Sequence, residues 1–297
     1  MELSLLMRLR IAAAVATGVV LIGILAWLLA ASSEPLSAVR ASDISLGGKI
    51  TLVVLAFLTG FIAYFVSWPH GREIGILAVP SGLAIWAVRS GSMTTLMQLN
   101  PTAAQRQALL TTLKWDSTFW LAVVAAGFAG VLLGQKILSS TRPAEKQKKT
   151  DSKAIKYLNA IIALVGSALI AQFCIRIFAQ DVKVIATGSV VAQPSVGQIV
   201  FAVLLSFGLA AFVVKKFLDV SYIWPTIATV LVTAFAISSY AKQDVLQYFV
   251  KTWPAAFFAN SVISILPVQM VAFGTLGSIA GYWMAVRYKY WRKHEMK

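Results

Sequence analysis

Side chains able to do chemistry are sparse in this chain. Its 297 residues include two histidines, one cysteine and eleven carboxylates. His70 lies in VSWPHGRE and His294 in YWRKHEMK, and neither belongs to a recognisable metal-ligand spacing. No metal and no cofactor is expected. There is no GxxxxGK[ST] loop to cradle a phosphate and no GxSxG nucleophile elbow, and no acidic pair falls within one apolar run. No catalytic residue can be named. Cys174 stands alone in an apolar run and reads as a packing residue.

Ionisable groups inside a bilayer are the usual mark of an ion or proton path, because each costs about 2.5–3.5 kcal/mol at a helix centre. The central thirds of the apolar runs hold none. Arg89, Asp116 and Arg176 fall at run ends, where long side chains snorkel, which argues against a proton-coupled pump. Arg89 and Arg176 are the candidate contacts for an anion in an outer cavity. The polar residues within the runs, Thr59, Asn159, Gln172, Thr229, Thr233, Asn260 and Gln269, read as interhelical hydrogen bonders in preference to substrate contacts.

The elements that carry these residues are membrane spans. The chain is 59% hydrophobic and 12% charged, with a mean hydropathy of +0.78, and its apolar residues form long unbroken runs that a soluble domain could not accommodate. About 20 apolar residues at 1.5 Å rise cross a hydrocarbon core of roughly 30 Å. Eight runs come close: Leu9 to Ala31, Ile50 to Trp68, Ile74 to Val88, Phe119 to Leu138, Leu158 to Phe178, Ile199 to Val214, Ile223 to Ser239 and Val262 to Val286. The expected fold is all-α, a polytopic transmembrane helical bundle of about eight spans. The third and sixth runs are short. The first is longer than a signal-peptide core and is read as a retained span.

Lysine and arginine set the orientation, since cytoplasmic loops near membrane ends retain them. With the N-terminus inside, seventeen of the 26 basic residues fall in inner segments. Both termini are therefore expected on the cytoplasmic side of an inner membrane or its equivalent. The net charge of +15 is spread in short clusters at span ends, which points to anionic lipid headgroups and membrane-protein partners and not to nucleic acid. All nine tryptophans lie near span ends, where an amphipathic ring prefers the interface.

The chain also repeats itself. SLGGKITLVVLAFLTGF from Ser45 and SVGQIVFAVLLSFGLAA from Ser195 align at an offset of 150, and Gly18, Leu21 and Ile22 meet Gly166, Leu169 and Ile170. Trp68-Pro69 meets Trp224-Pro225, and Gly127, Gly130 and Gly134 meet Gly274, Gly277 and Gly281 with identical spacing. This ordered series divides the chain into a four-span repeat over 1–139, a basic cytoplasmic linker over 140–156 and a second four-span repeat over 157–297. Because each half has an even number of crossings, the 4+4 repeat is parallel, about an axis along the membrane normal.

The six glycines fall on one face of each helix, where a missing side chain lets a neighbour approach, and they are read as helix-packing positions. Pro80 and Pro267 are candidate kinks. Each half also places a polar segment outside the membrane: LNPTAAQRQALLTTLKWDS, with Asn100 as the expected helix N-cap, and a helical pattern through Leu246, Phe249, Val250, Trp253 and Phe257.

VSWPHGRE resembles the hinge before the core span of the small subunit of the protein translocase, over eight residues. An apolar span precedes it here where that family has a surface helix, so it is read as a Trp-Pro interface turn and no family is recognised. Three functional classes remain, in order of preference. They are a non-catalytic membrane subunit or scaffold of a larger complex, a permease or channel for a small or lipidic solute, and an intramembrane enzyme.

Overall fold

The computed structural model describes residues 5–30, 38–139, 153–184 and 189–295. The apolar runs become helices, as a bilayer requires of backbone groups that have no water to bond. They are α1 (Leu5–Ala30), α2 (Leu46–Val66), α3 (Gly71–Arg89), α5 (Ala103–Ser139), α6 (Lys153–Phe178), α7 (Val196–Leu218) and α8 (Ile223–Tyr240). Seven helices among the described residues are thus long and apolar enough to cross a membrane, which makes the chain a multi-pass membrane protein. Three further helices complete the set: α4 (Met93–Leu99), α9 (Gln243–Thr252) and α10 (Pro267–Glu295).

The eighth expected run, from Val262, is α10, which is not among those seven. Its 29 residues are ample in length, but Gln269, Thr275, Ser278 and three glycines dilute its apolar content. It also starts five residues late. Residues 260–266 form turns, in which Val262 N donates to Asn260 Oδ1 at 3.1 Å and Ser264 Oγ to the Ser261 carbonyl at 2.6 Å. Residues 140–152 of the expected linker lie outside the described residues, and Lys153 to Lys156 open α6.

Local signals fix the helix starts. Ser45 Oγ accepts from Gly48 N at 3.0 Å to cap α2, and Ser195 Oγ accepts from Gln198 N at 3.3 Å to cap α7. The N-cap of α5 is Thr102 and not Asn100. Thr102 and Gln105 form a capping box, with Gln105 N donating to Thr102 Oγ1 at 3.3 Å and Thr102 N to Gln105 Oε1 at 3.2 Å. Asn100 closes the preceding helix instead, its Nδ2 donating to the Leu96 carbonyl at 2.9 Å.

The described chain packs as two units. Among the described residues the first comprises 5–30, 39–89 and 119–139, and the second 38, 90–118, 153–184 and 189–295. The segment 90–118 precedes the linker in sequence yet packs with the residues that follow it. In the first unit α1 changes to a π-helical turn over Val19–Leu25. Trp86 on α3 meets that turn, its Nε1 donating to the Ile22 carbonyl at 2.7 Å. Gly18 and Gly82 let α1 and α3 touch backbone to backbone, since a methyl at Gly18 would overlap Ala78 and one at Gly82 would overlap the Gly18 carbonyl.

The second unit adds a small antiparallel sheet to an otherwise helical fold. Strands β1 (Lys183–Val184), β2 (Val190–Ala192) and β3 (Phe257–Phe258) lie in the order β1-β2-β3, with Lys183 opposite Val191 and Val191 opposite Phe258. Val190, Val191 and Phe258 are buried, so the sheet has a packed face despite its length.

Candidate functional site

The six glycines all sit against a neighbouring helix, three of them on its backbone and three on side chains. In the first, Gly130 on α5 faces the Phe57 carbonyl of α2, and Gly60 on α2 faces the Gly127 carbonyl. A methyl on Gly134 would stand 2.7 Å from the Tyr64 ring, and one on Gly127 would press into Val79 of α3. In the second unit Gly277 on α10 faces the Leu204 carbonyl of α7, Gly281 faces the Gly208 carbonyl, and a methyl on Gly274 would stand 2.5 Å from Thr229 Cγ2 of α8. The pairs Gly130 with Phe57 and Gly277 with Leu204 are displaced by the same 147 residues. The serine caps repeat at 150, so the second crossing point lies about one helical turn nearer its cap.

The hydroxyls expected to bond between helices bond locally. Thr229 Oγ1 donates to the Thr226 carbonyl at 2.6 Å and Thr233 Oγ1 to the Thr229 carbonyl at 2.8 Å, the back-bonding that threonine offers within its own helix. Gln269 Oε1 accepts from Leu266 N at 3.1 Å, at the start of α10. Thr59 Oγ1 and Ser206 Oγ, on α2 and α7, are fully buried and have no hydrogen-bond partner among the described residues.

Arg89 and Arg176 each occupy the last turn of a helix, α3 in the first unit and α6 in the second, where a cation complements the carbonyl end of the helix dipole. Arg89 is exposed, and its guanidinium lies 5.5 Å from the Trp27 ring centroid. Pro80 follows the 3-10 turn Gly75–Leu77 inside α3, where its missing N–H would otherwise pair with the Ile76 carbonyl. Pro267 is the first residue of α10 and leaves that helix uninterrupted, the position where a missing N–H is not needed.

A polar clasp that the sequence pattern did not reveal holds the segment 90–118 in the second unit. Gln193 makes four hydrogen bonds to three residues. Its Oε1 accepts from Thr94 N at 3.3 Å and from Thr94 Oγ1 at 3.2 Å, and its Nε2 donates to the carbonyls of Ser264 at 3.1 Å and Pro194 at 3.3 Å. Arg106 is 6% exposed, with Nε donating to the Asn100 carbonyl at 3.0 Å and a terminal nitrogen to the Met97 carbonyl at 3.4 Å, at the negative end of α4.

Cations and rings gather where α7 ends and α10 runs on. Asp219, in the left-handed conformation at φ 53°, accepts from Lys215 Nζ at 2.9 Å and from Lys289 Nζ at 2.8 Å. The hydrogen bond from Lys289 and the field of both lysines hold its carboxyl at about 2. The Lys215 ammonium lies 4.7 Å from the Tyr282 ring centroid and that of Lys216 4.9 Å from Tyr288, while Arg287 lies 4.9 Å from Trp291.

Among the described residues no three His, Cys, Asp or Glu side chains converge as metal ligands. What the side chains do provide is close helix seating and a basic, aromatic helix end. Comparison of the chain with family models, with curated proteins and with solved structures finds no match.

Proposed function

We propose that this protein is a non-catalytic, multi-pass subunit or scaffold of a membrane complex, presenting the end of α10 to a partner. The observation that carries the reading is the length of that helix. Its 29 residues span about 44 Å at 1.5 Å each, against a hydrocarbon core of roughly 30 Å. The excess is its C-terminal end, where Arg287, Tyr288, Tyr290, Trp291, Arg292 and Lys293 are exposed. Arginine and aromatic side chains are the residue types enriched at protein interfaces. By the positive-inside rule this end, with the N-terminus, faces the cytoplasm of an inner membrane or its equivalent.

The same reading takes the chain as a parallel 4+4 repeat. The matching glycine contacts in the two units, and the serine caps of α2 and α7, support it. Rigid halves built by backbone-to-backbone seating suit a framework more than a moving gate.

The test is gentle-detergent purification of the tagged chain from its native membrane, with mass spectrometry of what is retained, beside a variant carrying Arg287→Gln, Arg292→Gln and Lys293→Gln. A stoichiometric protein partner retained by the wild type and lost from the variant is the expected result. A clean monomer or homo-oligomer would overturn the reading and favour a permease for a small or lipidic solute. A partner retained equally by the variant would remove the role of α10.

A further inference from the structure

The seam between α7 and α10 carries an apolar groove of about 500 Å³, within the roughly 300–1,000 Å³ typical of small-molecule sites. On α7 its lining includes Phe201, Leu205, Gly208 and Phe212. On α10 it includes Gly277, Ala280, Gly281 and Met284. The glycines make its floor, because Gly277 and Gly281 seat on α7 backbone and a methyl on Gly208 would meet nothing nearer than the Gly277 carbonyl at 3.5 Å. Its walls stand open, with Phe201 58% and Met284 64% exposed.

Two features of this groove select its occupant. The first is length. From Phe201 to Phe212 the lining follows α7 for about 17 Å, close to half of the roughly 30 Å hydrocarbon core. That is the depth of one leaflet, whereas a docked transmembrane helix would use the full thickness.

The second is charge at one end only. The lining recurs along α7 at helical spacing, and the next positions on that stripe are Lys215 and Lys216. On α10 the stripe after Met284 continues to Arg287 and Tyr288. Phe212 joins groove and cluster, its ring 5.9 Å from that of Tyr288. Asp219 pairs with both Lys215 and Lys289, whereas Lys216 pairs with no carboxylate among the described residues and lies instead near the rings of Tyr288 and Phe217, at 4.9 and 5.4 Å.

We propose that the groove binds an acyl chain of an anionic glycerophospholipid, with the lipid phosphate at Lys216. The site rests on α7 and α10 lying in a bilayer and is independent of whether the protein is a subunit or a permease.

The test places the purified full chain in discs of phosphatidylcholine doped with a minor share of phosphatidylglycerol of the same acyl chains, followed by native mass spectrometry. The wild type is expected to retain one phosphatidylglycerol over phosphatidylcholine by about fivefold, the ratio that about 1 kcal/mol per basic residue near a membrane surface corresponds to. Lys216→Gln, at a half-buried position, removes the charge while keeping most of the side chain's length, and should bring the ratio to about one. Ala280→Phe fills the groove from an exposed position, and should remove the retained lipid whatever its headgroup while the thermal unfolding midpoint stays in place. Equal retention of the two lipids by the wild type, or an unchanged preference in Lys216→Gln, overturns the proposal. So does a wild-type dimer that Ala280→Phe converts to a monomer, which would assign the groove to a second copy of the chain.

Discussion

Replacing Gly130 by alanine puts a methyl group into the Phe57 carbonyl. The neighbour is backbone, so no rotamer change relieves the overlap and α5 has to move away from α2. A separation on the order of 1 Å forfeits a quarter to a half of the dispersion energy of each contact along the seam. Overpacking of this kind costs about 1–3 kcal/mol, and the better helix propensity of alanine returns about 1 kcal/mol. With a backbone neighbour the upper end applies, for a net loss of about 2 kcal/mol.

At about 2–4 °C per kcal/mol, the unfolding midpoint of the purified protein in detergent should fall by about 4–8 °C, read from the helical circular dichroism signal. Gly277→Ala meets the Leu204 carbonyl and should fall by a similar amount. Gly166→Ala is the internal comparison, because a methyl there meets nothing within 4 Å and only the propensity gain remains, raising the midpoint by a few degrees. Unchanged midpoints for Gly130→Ala and Gly277→Ala, or an equal drop for Gly166→Ala, would refute the packing role of these positions.

Three further perturbations address other parts of the molecule. Gln193→Ala severs the bonds to Thr94 and Ser264 and should accelerate backbone hydrogen exchange over Met93–Leu99 without changing that of α2. Trp86→Phe keeps an aromatic ring but loses the pyrrole part of the fully buried indole and leaves the Ile22 carbonyl without its partner, at a cost of at least about 1–3 kcal/mol that thermal unfolding should register. The Asp219 carboxyl is held at about 2 in the folded protein, so its contribution to stability is complete above the ordinary carboxylate range and is lost as pH falls toward 2. Asp219→Asn, which tolerates the left-handed backbone, should flatten the unfolding midpoint against pH in that acidic window and leave its pH dependence near neutrality unchanged.

Seven of the eight expected spans were legible in the sequence as long apolar helices, because a bilayer accepts almost nothing else. The glycine spacing was legible for a related reason, as three small residues on one helical face have few other uses in lipid. Their partners were not, since Phe57 and Leu204 offer carbonyls, and every residue has one. The late start of α10 depends on side-chain bonds from Asn260, Ser264 and Gln269 that compete with the helix, which hydropathy does not register. The β-sheet is carried by strands of two or three residues, too short for an alternation to stand out. The Gln193 clasp joins residues almost 100 positions apart, and the groove is shared by two helices, so neither exists as a pattern in one stretch of chain.

That clasp also imposes an order in time. Thr94 emerges from the ribosome 99 residues before Gln193, the side chain that will hold it. At about 5–20 residues per second the interval is roughly 5–20 s. Throughout it, α4 and the start of α5 are already synthesised while Gln193 and the rest of the later half of their unit do not yet exist. Biogenesis of this protein therefore includes a waiting period, in which an early segment must be kept from wrong contacts until the later half of the chain is made.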